Sequence, residues 1–239
     1  MDQARIEALE ALAAKLQYVF EDLNLLDGAL RHSSYVHEQA LEELESNERI
    51  EFLGDAVLEL GISQLLYSRF PHAQEGQLSK ARAAMVNESR LAQWAQSLDL
   101  GAYLLLGRGE DKQKGREKTS ILADAMEAVV AAVFLDGGLA ASDEFIQRHL
   151  GSWAEEAMRR AARKDFKTRF QEQVQEKLHL TPDYELRQAI GPDHDKDFVV
   201  ALCVKGKELA QGRGKSKKEA EQMAAKKALD LLESGDLNL

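Results

Sequence analysis

Residues 48–60, ERIEFLGDAVLEL, and residues 121–137, ILADAMEAVVAAVFLDG, set carboxylates at helical spacing inside otherwise apolar segments. In the first, Glu48, Glu51 and Asp55 lie at i, i+3 and i+7, which at 3.6 residues per turn confines them to an arc of about 60°. Ile50, Leu53 and Val57 take the opposite side, and Phe52, Gly54 and Ala56 stand where a solvated face would carry Lys, Gln or Ser. In the second, Asp124 and Glu127 share a face and are the only charges between Ile121 and Leu135. Both helices are therefore expected to be largely buried. A desolvated carboxylate without a partner costs several kcal/mol, so protonation, a distant Lys or Arg, or a bound cation must compensate. Oxygen-only donors with no histidine or thiolate in either stripe suit a hard ion, Mg²⁺ or Mn²⁺, rather than zinc. The pattern is that of a metal-dependent catalytic centre.

The remainder of the chain, read outward from these helices, predicts two parts. At 239 residues, 44% hydrophobic and with three prolines, the chain has enough apolar material for one large or two modest folded domains. The first part, residues 1–157, has helical periodicity almost throughout and reads as an all-helical bundle. The polar, cationic stretch 158–164 (MRRAARK) reads as a linker, and residues 165–235 as a small second domain. The N-terminal segment is amphipathic and acidic rather than a leader, and no apolar run reaches 18 residues, so a cytoplasmic protein without membrane contact is expected. Cys203, the single cysteine, sits in the apolar run FVVALCV and reads as a buried strand residue.

A net charge of −10 argues against nucleic acid only until it is divided along the chain. Residues 1–163 hold the whole acidic excess, and residues 164–239 balance to zero. That second part reads helix, strand, strand, strand, helix. Phe166, Phe170, Val174 and Leu178 recur every four residues. Tyr184, Leu186, Gln188 and Ile190 alternate as a strand with one buried face, and Lys205-Gly206 marks a tight hairpin between two further strands. Ser216 followed by Glu219 forms a capping box that opens the last helix. Lys217 and Lys218 occupy its first turn, where positive charge opposes the helix dipole by roughly 0.3–1 kcal/mol each. With Arg213 and Lys215 they read either as a solubilising surface or, in this α-β-β-β-α context, as a phosphate-binding corner.

NERIEFLGDAVLEL (47–60) and ILADAMEAVVAAVFLDGG (121–138) resemble the two signature segments of bacterial ribonuclease III. DFKTRFQEQVQ (165–175), GPDHDKDF (191–198) and GRGKSKKEAEQMAAKKAL (212–229) resemble successive pieces of a double-stranded-RNA-binding domain, so the resemblance covers essentially the whole chain. It implies an all-α endonuclease domain followed by an α+β RNA-binding domain. It implies Mg²⁺, with Mn²⁺ as a substitute, held by Glu51, Asp55, Asp124 and Glu127, of which Asp55 and Glu127 are the foremost catalytic candidates. Glu48 and Glu75 match secondary acids of the catalytic valley. Thr168, Gln171 and Glu172 match first-helix positions that approach a minor groove, His194 a loop that enters the next, and Lys217 and Lys218 the lysines astride the intervening phosphates. Phe52 matches an aromatic of the subunit interface in a homodimer, and its direction on the acid side of the helix agrees with that more than with an ordinary core role.

The implied activity is hydrolysis of double-stranded RNA to 5′-phosphate and 3′-hydroxyl ends with short 3′ overhangs, in the processing of ribosomal RNA precursors, messengers and other structured RNAs. The alternative is a non-catalytic double-stranded-RNA-binding protein retaining the fold, which lost acids would betray; all four are present. The sequence departs from the family's usual pattern at Arg31, Ser33, His37 and Lys114. His32 matches a family position and reads equally as a structural hydrogen-bonder or an RNA contact.

Overall fold

Asn47 anchors the start of the long first acidic helix. Its backbone N–H donates to the Arg31 carbonyl at 2.8 Å and its buried side chain to the Ala29 carbonyl at 3.2 Å, while its own carbonyl accepts from Glu51 N–H at 2.8 Å. The computed structural model describes residues 1–39, 45–163, 166–192 and 196–236; His194 and the linker residue 164 lie outside them. Two compact units divide the chain, Met1–Met158 and Arg159–Leu239.

The first unit contains α1 (Gln3–Leu16), α2 (Leu23–Ala29), α3 (Ser33–Gln39), α4 (Glu48–Arg69), α5 (Glu75–Met85), α6 (Glu88–Ser97), α7 (Arg108–Lys112) and most of α8 (Thr119–Arg163), with 3₁₀ turns at Leu100–Tyr103 and Gly115–Glu117. No described residue of this unit lies in a strand ladder; one isolated bridge joins Arg31 to Leu105. α8 is two helices meeting at Gly138, whose φ of 73° breaks the helical path. Between Ile121 and Val133 its apolar side chains are buried without interruption, as the pattern requires. α4 is less buried than expected. Val57, Leu58, Ile62 and Leu66 are buried, but Phe52 is 82% exposed, Leu60 53% and Tyr67 74%. The helix carries two apolar stripes, and among the described residues the second remains largely exposed.

Two of the unusual positions have local explanations. Arg31 donates from Nε and Nη2 to Oδ2 of buried Asp27, at 2.9 and 2.5 Å, and Arg5 donates from Nε to the other oxygen at 2.7 Å. One buried carboxylate thus ties α1 and α2 to the segment leading into α3. Lys114 has a φ of 60°, a conformation that glycine adopts with less strain.

The second unit is a three-stranded antiparallel sheet, β1 (Asp183–Ile190), β2 (Asp197–Val204) and β3 (Lys207–Gly214), in the order β1-β2-β3, with α9 (Phe166–Leu178) and α10 (Lys217–Glu233) against it. Phe170, Val174, Leu202, Val204, Ala224 and Ala228 form the centre of its core. The β2–β3 turn has positive φ at both Lys205 and Gly206, the combination whose twist matches paired strands. Gly212 faces α10 so closely that a Cβ would lie 2.1 Å from the Ala220 carbonyl oxygen, so its lack of a side chain seats the helix on the strand. The expected single buried face of β1 is corrected. A register shift between Leu186 and Gln188 sends Leu186 to the face of Val200 and Ile190 to that of Asp197, and both are nearly half exposed. Among the described residues, no helix is long and apolar enough to cross a membrane.

Candidate active site

Gly54 brings the two acidic helices together. A Cβ at that position would stand 1.9 Å from the Glu127 carbonyl oxygen and 2.5 Å from its carbonyl carbon, so α4 and α8 touch backbone to backbone at the level of the acids. Asp55 follows Gly54 directly, Glu51 lies one turn before it, and Asp124 one turn before Glu127. The sequence pattern placed the acids on two helices; the glycine contact makes them neighbours.

Their electrostatics agree. Burial first, and then the charges of Asp55, Glu51 and Asp124, together push the Glu127 carboxyl up to about 7 from an ordinary 4.5. Glu51 is raised by burial, then by Asp124, Glu48 and Asp55. Asp124 is raised by burial and by Glu88, and only His32 pulls it the other way. The four sequence-predicted ligands thus form one mutually repelling set. Glu48 is exposed and joins it through Glu51. Glu75 stands apart: it accepts from Ser79 Oγ at 2.7 Å and lines a groove of about 430 Å³ with Leu60, Tyr67, Leu78 and Arg82.

One contributor, Glu88, escaped the sequence reading, and another, His32, was left open by it. Glu88 opens α6 and gives no local signal, since only the packing of α6 brings its charge to Asp124. His32 had two open readings, and the structure fixes one nitrogen. Ser34 N–H approaches its Nδ1 at 3.2 Å and Ser34 Oγ at 2.8 Å, while that Oγ accepts from Gly107 N–H at 3.0 Å. These contacts to Nδ1 hold the imidazole in place beside the acids.

Among the described residues, no three His, Cys, Asp or Glu side chains converge into a ready-made metal cage. The donor chemistry nevertheless fits a hard divalent cation: carboxylate oxygens from four side chains, three of them partly desolvated and Asp55 exposed beside them, with His32 the one opposing charge acting on Asp124. Rotation of the carboxylates is what such an ion would require.

In the second unit Thr168, Gln171 and Glu172 are exposed on one face of α9, opposite Phe170 and Val174. The expected basic corner divides in two. Lys217 and Lys218 are exposed and carry no ion pair among the described residues, whereas Arg213 and Lys215 both reach Asp197. The cap of α10 is also offset from expectation: Ser216 Oγ accepts from Glu219 N–H, but Glu219 reaches back one residue further, to Lys215 N–H at 2.8 Å.

Comparison with known proteins gives these features a family. The family model described as Ribonuclease-III-like matches residues 22–152, and that described as double-stranded RNA binding motif matches residues 166–232. A protein named Ribonuclease 3 from Syntrophobacter fumaroxidans is 46% identical over 237 residues, covering 98% of each chain. Another of that name from Borreliella afzelii is 46% identical over 97% of this chain and 93% of its own. The crystal structure of the nuclease domain of ribonuclease III from Campylobacter jejuni, 42% identical, superposes with a TM-score of 0.54 over 60% of this chain and 93% of its own. Fold, acids and relatives together define an endoribonuclease that couples a helical nuclease domain to a double-stranded-RNA-binding domain and cleaves RNA duplexes. The chain belongs to the ribonuclease III family.

Proposed function

We propose that this chain is a Mg²⁺-dependent, homodimeric endoribonuclease of the cytoplasm that cuts both strands of RNA duplexes. The products would carry 5′-phosphate and 3′-hydroxyl ends with short 3′ overhangs, and the substrates would be ribosomal RNA precursors, messengers and other structured RNAs. The observation that carries the reading is the set of carboxylates that act on one another beside the Gly54–Glu127 backbone contact, with one of them pushed up to about 7. Glu51, Asp55, Asp124 and Glu127 would hold Mg²⁺, or Mn²⁺ in its place. Bound there, the ion supplies Lewis-acid charge, which acidifies water and offsets charge growing on the phosphate. Asp55 and Glu127, on the two sides of the helix contact, orient the attacking water in line with the scissile bond. Glu48 and Glu75 serve at the margins of the valley rather than at its centre.

The homodimer rests on the second apolar stripe of α4. Phe52, Leu60 and Tyr67 project within an arc of about 80° and are all exposed. A second nuclease-domain structure of Campylobacter jejuni ribonuclease III, 42% identical with a TM-score of 0.55, is described as structurally flexible in a region involved in dimer formation of that protein. A two-fold pair sets two equivalent acid clusters, one for each antiparallel strand. In the second domain Thr168, Gln171, Glu172, Lys217 and Lys218 follow the A-form duplex by shape and phosphate, and His194 belongs to the same reading by sequence.

The deciding experiment is a gel assay of end-labelled duplex RNA, with single-stranded RNA and duplex DNA controls, in Mg²⁺, Ca²⁺ or chelator. Wild type cuts only duplex RNA and only with Mg²⁺; Glu127→Gln binds the duplex without cutting it. Binding without cutting by wild type under every condition would establish instead a duplex-RNA-binding protein that retains the fold alone.

A further inference from the structure

Arg213 and Lys215, two of the four cations grouped around the start of α10, are already engaged. Asp197 opens β2, and β3 ends beside it: Phe198 pairs with Gly214 and Val199 with Arg213. Alternation along the two strands places Asp197, Val199 and Arg213 on one face, the face away from α10, and Lys215 continues the same row. There the Asp197 carboxylate uses both oxygens. Oδ2 accepts from Arg213 Nη2 at 2.5 Å, and Oδ1 lies 3.2 Å from Lys215 Nζ. The two cations, Arg213 first, hold the Asp197 carboxyl below its ordinary range, so it stays ionised wherever RNA would bind. The carboxylate side chain is 22% exposed and the cations above 60%, so the cations face solvent while their partner is partly shielded.

This cluster stands at the end of the sheet where β2 begins, β3 ends and α10 opens, the same end that presents Lys217 and Lys218. A phosphate approaching Arg213 or Lys215 therefore meets two cations that share one carboxylate, half of their charge already countered, and must displace that carboxylate to gain the full contact. Exposed ion pairs add little to the stability of a fold, so the main consequence of the cluster falls on whatever anion competes for the cations.

We infer that Asp197 restrains the duplex-binding corner: it withholds Arg213 and Lys215 from RNA phosphates, leaves Lys217 and Lys218 as the working contacts, and keeps affinity below what the four cations would give. The inference rests on the duplex-RNA reading above. Its chemistry is that of an intramolecular competitor for the phosphate backbone. Removing the competitor adds contacts that release counterions, and so changes the salt dependence as well as the affinity.

The test measures binding of the full chain to a labelled RNA duplex in chelator, so that no cleavage occurs, over a range of KCl concentrations. Asp197→Asn is expected to bind about three- to tenfold more tightly and to steepen the plot of log affinity against log salt by about 1–2 units. Asp230→Asn makes the same change of net charge on exposed α10 surface and is expected to shift affinity less than about twofold. The paired variant Arg213→Gln with Lys215→Gln, made in the wild-type background, is expected to weaken binding by less than Lys217→Ala with Lys218→Ala does. In the Asp197→Asn background the same pair removes the gain. Unaltered or weaker binding by Asp197→Asn, or a loss in the wild-type background as large as that of Lys217→Ala with Lys218→Ala, overturns the inference while leaving duplex binding itself intact. A folded wild type that binds no duplex at any salt concentration would sink the RNA reading and this inference together.

Discussion

Glu127 concentrates the chemistry of the site in one side chain. Its carboxyl is held at about 7 by burial and by three neighbouring acids, against an ordinary 4.5 in the unfolded chain. The folded metal-free protein therefore binds a proton more tightly than the unfolded one. Between those two values folding takes up a proton, so the Glu127 contribution to stability is present below 4.5 and is lost as pH rises toward 7. Thermal unfolding in chelator is expected to show wild type losing stability across that window more steeply than Glu127→Gln. Mg²⁺ selects the ionised form, so its stabilising effect on wild type grows with pH over the same window. A Mg²⁺ effect of equal size at both ends would remove Glu127 from the ligand set. At this scale the sequence was informative where helical spacing alone defines the neighbours, as for Glu48, Glu51 and Asp55. It was silent on Glu88, whose approach to Asp124 depends on where an entire separate helix lies.

At the scale of elements, the α4–α8 contact decides whether there is a site at all. A methyl group at position 54 meets the backbone of Glu127, which cannot rotate away, so the helices must separate. Gly54→Ala is expected to cost about 1–3 kcal/mol of stability by overpacking and to abolish cleavage by parting the acids. Gly76→Ala, in α5, meets nothing within 4 Å and is expected to leave cleavage unchanged while adding about 0.5–1 kcal/mol from helix propensity. Chemical denaturation with parallel cleavage assays measures both; equal effects at the two positions would contradict the assignment of Gly54. The apolar runs and the acid stripes were legible as helices, but the contact was not. In sequence Gly54 looks like any small residue, and only the crossing of α8 shows that its missing Cβ is required. The β1 strand teaches the complementary point. Period-two alternation from Tyr184 to Ile190 predicted one buried face, and a single register shift beyond Leu186 moved Ile190 to the other side.

At the scale of the molecule, the exposed stripe of α4 and the uneven charge distribution set how the chain meets other macromolecules. Phe52, at 82% exposure, is far from the environment of a buried aromatic. Phe52→Glu is expected to shift the protein from dimer to monomer in analytical ultracentrifugation, with at least about tenfold weaker duplex cleavage, because a charge on the stripe opposes its burial. A monomeric wild type would remove the dimer from the proposed function. In the second domain, Lys217→Ala with Lys218→Ala is expected to reduce the salt slope of duplex binding by about 2, one for each lost phosphate contact. An unchanged slope would place the phosphates elsewhere.

The two-part architecture, the helical character of the acid segments, the α-β-β-β-α order and the stripes of acids along single helices were all legible along the chain. Each of these follows from periodicity and residue chemistry within a short stretch, where local geometry relates neighbours in sequence to neighbours in space. The rest arose only on folding. Packing brought the charges of Asp55 and Glu51 to bear on Glu127 beside Gly54 and those of Glu88 and His32 on Asp124, left one stripe of α4 exposed, and gave Asp197 two of the corner's four cations. Those relations join residues far apart along the chain or on opposite strands. Their energies depend on distance and desolvation, which are fixed only when the elements pack.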